Sequence, residues 1–164
     1  MLAGNFFHMD VDDDVVPHSV VPLNRFLTYR LAKVQAKLSA QATRILRAHA
    51  GITITQWRII AVLGDTGRCT SAQLSRLTEM DKGLISRSVK SLTAERMITV
   101  TRDASDNRAL HLDLTAKGRE TFERTIPRMR SRQMGLRAYL DEAEFDTLMR
   151  ACEKLEKAAE DPEI

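Results

Sequence analysis

The chain has 164 residues, 43% apolar, 29% charged and 5% aromatic, with a formal net charge of +3. That length supports one domain, or one compact fold with an added arm, that folds without disulfides or metals. Two cysteines, Cys69 and Cys152, exclude a disulfide framework and fit a reducing cytosol, and no stretch approaches the roughly 20 apolar residues that span a bilayer, so a cytoplasmic protein is expected.

Charge is unevenly distributed. Residues 1–21 hold four aspartates and no Lys or Arg, which fits neither a secretion signal nor a transit peptide. Residues 22–64 hold seven Lys or Arg and no acid, residues 115–140 hold seven against two acids, and residues 141–164 reverse the balance with nine acids against three bases. A basic body attracts polyanions, although surface helices also carry charge for solvation alone.

The first 21 residues lack helical periodicity, and Asp12-Asp13-Asp14 with Pro17 predict an irregular acidic arm. From Pro22, Leu27, Leu31, Val34, Leu38 and Ile45 form one apolar stripe on a helix that ends near Gly51. A stripe of that length exceeds what one small domain covers, so residues 22–50 are read as a dimerisation helix. Thr55 is expected to cap a second helix running to about Asp65, with Ile59, Ile60, Val62 and Leu63 inward and Gly64 and Gly67 breaking it. Thr70-Ser71-Ala72-Gln73 has capping-box form and starts a short helix burying Leu74 and Leu77. Asp81 caps a helix from Lys82 to about Arg96 with Ile85, Val89 and Leu92 inward. The period then changes: Ile98–Arg102 and Leu110–Leu114 alternate as half-buried strands around a turn-rich segment. Thr115 caps a long helix over 116–138 with Phe122, Ile126, Met129 and Leu136 on its apolar side, which Pro127 should kink or break. A last helix begins near Asp141, its stripe made by Phe145, Leu148, Met149, Cys152 and Leu155.

The fold class read from this order is mostly α with a small β-hairpin. It gives a winged helix-turn-helix lobe over 51–115, followed by C-terminal dimerisation helices over 116–164. A helix fits the major groove of B-DNA when it offers small polar and cationic side chains away from its core face. Lys82, Gly83, Ser86, Arg87 and Lys90 meet that demand, and no acid lies between Lys82 and Ala94. Thr70 and Ser71 open the preceding helix, whose exposed N–H groups suit a phosphate. Arg102 and Arg108 sit on the hairpin, where a guanidinium can enter a narrow minor groove, and Asp106 is placed to orient Arg108 by an ion pair.

Asp106-Asn107-Arg108, the alternating strand after it and Leu114-Thr115-Ala116-Lys117-Gly118 resemble the wing signature of the MarR transcriptional regulators. Met80–Leu92 is similar to the recognition helix of that family, and Thr55-Gln56-Trp57 with Ile59 to Leu63 to the helix before it. The resemblance runs from about Leu23 to Leu155 and leaves out the acidic arm. It implies a homodimer in which the first and last two helices intertwine while each lobe meets one half-site of a palindromic double-stranded operator. Ser86, Arg87 and Lys90 then face the major groove and Arg108 the minor groove. It further implies a repressor released by a small aromatic or acidic effector bound between dimer base and lobe, where Trp57, Arg44, Arg47 and Arg58 are candidates. Dimer contacts are assigned to Leu27, Leu31, Val34, Leu38, Phe145, Leu148, Cys152 and Leu155. Opposite net charges on the first and last helices suggest that the two pack together, within or between subunits.

Four scattered histidines make no metal-ligand spacing, and no catalytic triad, phosphate-binding glycine loop or close carboxylate pair is present, so no metal, cofactor or enzyme is expected. Cys69 precedes a helix N-terminus, which lowers a thiol pKa, but lies away from the reactive position of peroxide-sensing relatives and is read as a small buried residue. Two other readings stay open: an architectural or anti-silencing DNA-binding protein without an effector, and a protein-interaction module dominated by its acidic ends.

Overall fold

The computed structural model describes residues 22–102 and 110–162. The chain divides into two compact units, Met1–Leu38 and Ser39–Ile164. In the first, a 3-10 turn at Leu23–Arg25 leads into helix α1, Leu27–Ala50, and every described residue before Leu38 is exposed. The stripe is present but open: Leu27 is 52% exposed and Val34 50%.

In the second unit follow α2 (Ile54–Thr66), β1 (Cys69–Thr70), α3 (Ser71–Thr78), α4 (Lys82–Ala94), β2 (Ile98–Arg102), β3 (Leu110–Leu114), α5 (Ala116–Arg137) and α6 (Glu142–Ala159). The sheet is antiparallel in the order β1-β3-β2, with Val100 opposite Leu112 and Cys69 opposite Leu112 on its other side. Its core joins Leu46 of α1 with Ile59, Ile60 and Leu63 of α2, Leu74, Ile85 and Leu92 of α3 and α4, and Ile98 and Leu112 of the sheet. Phe122, Ile126 and Met129 of α5 close it from outside.

Several expectations are corrected. The cap of α2 is Thr53, whose hydroxyl accepts from the Gln56 amide at 3.1 Å while Gln56 Oε1 accepts from the Thr53 amide at 2.9 Å. The Thr-x-x-Gln spacing carried that signal, and Thr55 lies inside the first turn. Gly64 does not break α2; a Cβ there would come within 2.5 Å of the Phe122 ring, so glycine lets α5 approach. Gly67 does terminate it, at φ +79. Leu77 is 57% exposed rather than buried, because α3 meets the core through Leu74. On α4 the third buried position is Ser88, and Val89 sits only partly buried at the margin. Pro127 does not break α5. It lacks an N–H for the Glu123 carbonyl, and both residues are exposed, so water can satisfy that group. The caps at Thr70, Asp81 and Thr115 stand as expected, and Asp141, near which the last helix is expected to begin, caps α6.

One polar group in α5 has no counterpart. The Thr125 hydroxyl is fully buried with no hydrogen-bond partner, whereas that of Thr121 donates to the Lys117 carbonyl at 2.8 Å. An unpaired buried hydroxyl costs roughly 1–3 kcal/mol. Thr125→Val, which keeps the shape, should therefore raise the melting temperature by about 2–4 °C for each kcal/mol recovered. A fall in a thermal melt would mean that the hydroxyl is bonded in solution.

Candidate nucleic-acid interface

Helix α4 is fixed at its start by Asp81, whose carboxylate accepts from the Leu84 amide at 2.8 Å. Each residue of a helix advances about 100°, so Lys82, Ser86, Lys90, Gly83 and Arg87 fall on one arc, opposite the buried Ile85, Ser88 and Leu92. All five are exposed. Lys82, Ser86 and Lys90 line a groove of ≈ 960 Å³ with Thr70 of β1, Ser71 of α3, and Val100 and Leu110 of the hairpin. Arg87 lies beside this groove with its guanidinium over the first turn, where a Cβ on Gly83 would be 3.4 Å from its Nη1. The capping box at Thr70, with Gln73 Oε1 accepting from the Thr70 amide at 2.8 Å, holds the start of α3 beside them.

The hairpin strands pair in register from Ile98↔Leu114 to Arg102↔Leu110, which puts the exposed Arg102 at the far end of the lever. Asp106 and Arg108 lie outside the described residues. Strand β1 was missed because two residues show no alternation. It attaches the start of α3 to the sheet, so the helix pair and the hairpin share one support. Such a concave face, with cations on α4 and the start of α3 beside them, suits a polyanion of regular shape.

The sequence-assigned effector residues separate. Trp57 is 7% exposed and stacks on Phe122 at 6.2 Å, so it belongs to the core. Arg47 and Arg58 are exposed, while Arg44 borders a groove of ≈ 390 Å³ with Ile45, Ala48, His49 and Arg128. His49 and Arg128, which the sequence reading did not connect with Arg44, come from the end of α1 and from α5. The His49 ring is fixed by Nε2 at 3.1 Å from the Arg124 carbonyl. On α6, Phe145 lies under the Arg137 guanidinium at 4.2 Å, Leu148 is 47% exposed, and Cys152 and Leu155 are half-buried. Among the described residues no group of His, Cys, Asp or Glu could hold a metal, and no helix is long and apolar enough to cross a membrane.

Cys69 is buried, and that burial, with the Asp113 carboxylate as a second cause, raises its thiol pKa. The native protein should therefore consume iodoacetamide at Cys69 far more slowly at pH 8 than the unfolded chain does; equal rates would place the thiol at the surface.

Two helices on a shared support with a β-hairpin beside them define a winged helix-turn-helix lobe. Residues 50–109 match the sequence profile of the MarR family. The chain is similar to the HTH-type transcriptional regulator BilQ of Clostridium symbiosum, 28% identical over 110 residues that cover 67% of this chain and 76% of that one. It is similar also to the crystal structure of a MarR/EmrR family transcriptional regulator from Acinetobacter sp. ADP1, at a TM-score of 0.78 and 29% identity over 85% of this chain and 98% of the other. The Staphylococcus aureus MepR–DNA complex shares the fold at a TM-score of 0.76 and 18% identity, covering 82% of this chain and 99% of the other. Over residues 50–109 and in its fold, the chain is similar to the MarR family of transcriptional regulators.

Proposed function

We propose that this protein is a homodimeric, sequence-specific DNA-binding repressor that occupies a palindromic operator and leaves it when a small effector binds. The observation that carries the reading is the exposed arc Lys82, Ser86, Arg87 and Lys90 on α4, free of acids and flanked by the start of α3 and the hairpin. On this reading Ser86, Arg87 and Lys90 reach base edges and Lys82, Thr70, Ser71 and the Gly83 turn meet phosphates. Arg102 and Arg108, the latter with Asp106, serve the minor groove. That MepR has been solved on DNA supports the placement.

The open stripes support a dimer through Leu27, Leu31, Val34 and Leu38 and through Phe145, Leu148, Cys152 and Leu155, because exposed apolar surface of this extent marks an interface. For the effector, Arg44 beside Arg128 offers two guanidiniums on one groove, which fits a small carboxylate, aromatic or otherwise. The PcaV regulator of Streptomyces coelicolor, solved with its natural ligand and sharing the fold at a TM-score of 0.74, supports a ligand-responsive reading. A bound acid that favours one spacing of the two recognition helices shifts the population away from DNA.

Selection of duplexes from a random pool with the full chain, then titration of the winner against a random duplex at fixed salt, tests this. A preference of about 10³ or more is expected. A ratio near one favours an architectural protein, and no binding at low salt favours a protein-interaction module.

A further inference from the structure

The polar side chain of Gln56 is 8% exposed and every hydrogen-bonding group of its amide is used. Its oxygen closes the capping box of α2 on the Thr53 amide. Its nitrogen leaves α2 altogether and donates to Glu95 Oε1 at 2.9 Å and to Ser91 Oγ at 3.2 Å. Ser91 Oγ in turn donates to the same Glu95 oxygen at 2.8 Å. Ser91 and Glu95 form the C-terminal end of α4, the helix whose opposite end carries the cationic arc. Glu95 is the C-cap, where a carboxylate opposes the helix dipole, so its side chain is not there to stabilise α4 by charge. Its backbone carbonyl is held separately by the Lys117 ammonium of α5 at 2.9 Å.

Just before Thr53 the chain leaves α1 through Gly51, at φ +68, and the buried Ile52. A change of direction at that glycine joint moves Thr53 and, through the shared capping box, the Gln56 amide. The amide has no slack, since both its N–H groups and its oxygen are engaged and Gln56 itself is buried, where an unpaired group is costly. Helix α4 has 13 residues and is about 20 Å long, so a small displacement of its Glu95 end becomes a tilt of the reading end.

We propose that the Gln56–Ser91–Glu95 clasp transmits the angle of the α1–α2 joint to the recognition helix, making Gln56 a positioning residue for operator reading. The inference rests on the DNA-reading role given to α4 above. It assigns to a buried amide, remote from the cationic arc in sequence and on a different helix, part of the control over base selection.

The test uses the full-length protein and the duplex recovered by selection, together with the same duplex carrying one extra central base pair and a random duplex. Gln56→Met keeps the side-chain length and removes all three bonds. It should reduce the cognate-to-random ratio and the discrimination against the lengthened duplex by about tenfold, with random-duplex affinity within about twofold of wild type. Glu95→Gln retains an acceptor for both donors and should keep both ratios. Glu95→Ala should reproduce the Gln56→Met loss, and the double variant should lose no more than either alone, with a thermal melt of each variant run beside the titrations. A melting temperature that falls while both ratios hold, or equal losses on all three duplexes, would overturn the clasp as a positioning device. If wild type itself fails to distinguish cognate from random DNA, the role of α4 fails instead.

Discussion

Gly118→Ala is expected to destabilise the protein by about 3 kcal/mol, which for a chain of this size lowers the melting temperature by about 6–12 °C. A Cβ at this position would run into the Met97 carbonyl oxygen and lie 3.0 Å from its carbon and 3.2 Å from Leu114 Cδ2. The obstacle is backbone and it cannot yield. The Met97 amide is bonded to the Leu92 carbonyl at 2.8 Å, and its carbonyl accepts from the Thr115 amide at 3.0 Å and the Thr115 hydroxyl at 3.1 Å. Thr115 also caps α5 on the Gly118 amide at 3.1 Å. The Leu-Thr-x-x-Gly run therefore has a steric cause: it seats the first turn of α5 on the strand that leaves α4. Gly135→Ala is the control. It lies in the same helix with nothing within 4 Å of its added Cβ, and should be neutral or stabilising by up to about 1 kcal/mol. Similar melts for the two variants would refute the steric account.

Arg87→Ala should weaken binding to the selected operator by about 10- to 100-fold and relax base preference at one position in each half-site, since a bidentate contact to a base carries roughly 1–3 kcal/mol of discrimination. The residue is exposed on the arc and no side chain encloses it, so the melting temperature should hold. Titration against single-base operator variants gives the readout, and an unchanged preference profile would move base reading elsewhere. Arg108 provides a contrast: a minor-groove contact, when removed, should weaken binding to all duplexes with little change in preference.

The periodic elements were legible because their physics is local. The seven-residue, two-turn spacing of Ile85 and Leu92, the alternation of Leu110–Leu114 and the caps at Thr70, Asp81 and Thr115 each declare themselves within a few residues. What escaped depends on partners far along the chain. Gly64 looks like a helix breaker until Phe122, from a helix that begins some fifty residues later, packs against it. Ser88 and Gln56 read as surface residues by type but are buried, Gln56 because Ser91 and Glu95 satisfy its amide. Leu77 was assigned inward by its residue type, yet an eight-residue helix anchored by Leu74 leaves it outside. The cationic arc of α4 could be drawn from sequence alone. Its alignment with the start of α3 required strand β1, which is too short to have a pattern.

The central claim is that the α4 face lies against the phosphates and bases of a duplex, and salt dependence tests it most directly. Binding of wild type and of a Lys82→Gln, Lys90→Gln double variant to the selected duplex would be measured across a range of salt concentrations. The account predicts a steep fall of log affinity with log salt for wild type, and a slope shallower by about two in the variant, close to one released counterion per lysine. Equal slopes for the two proteins would mean that neither lysine approaches the DNA, and would contradict it.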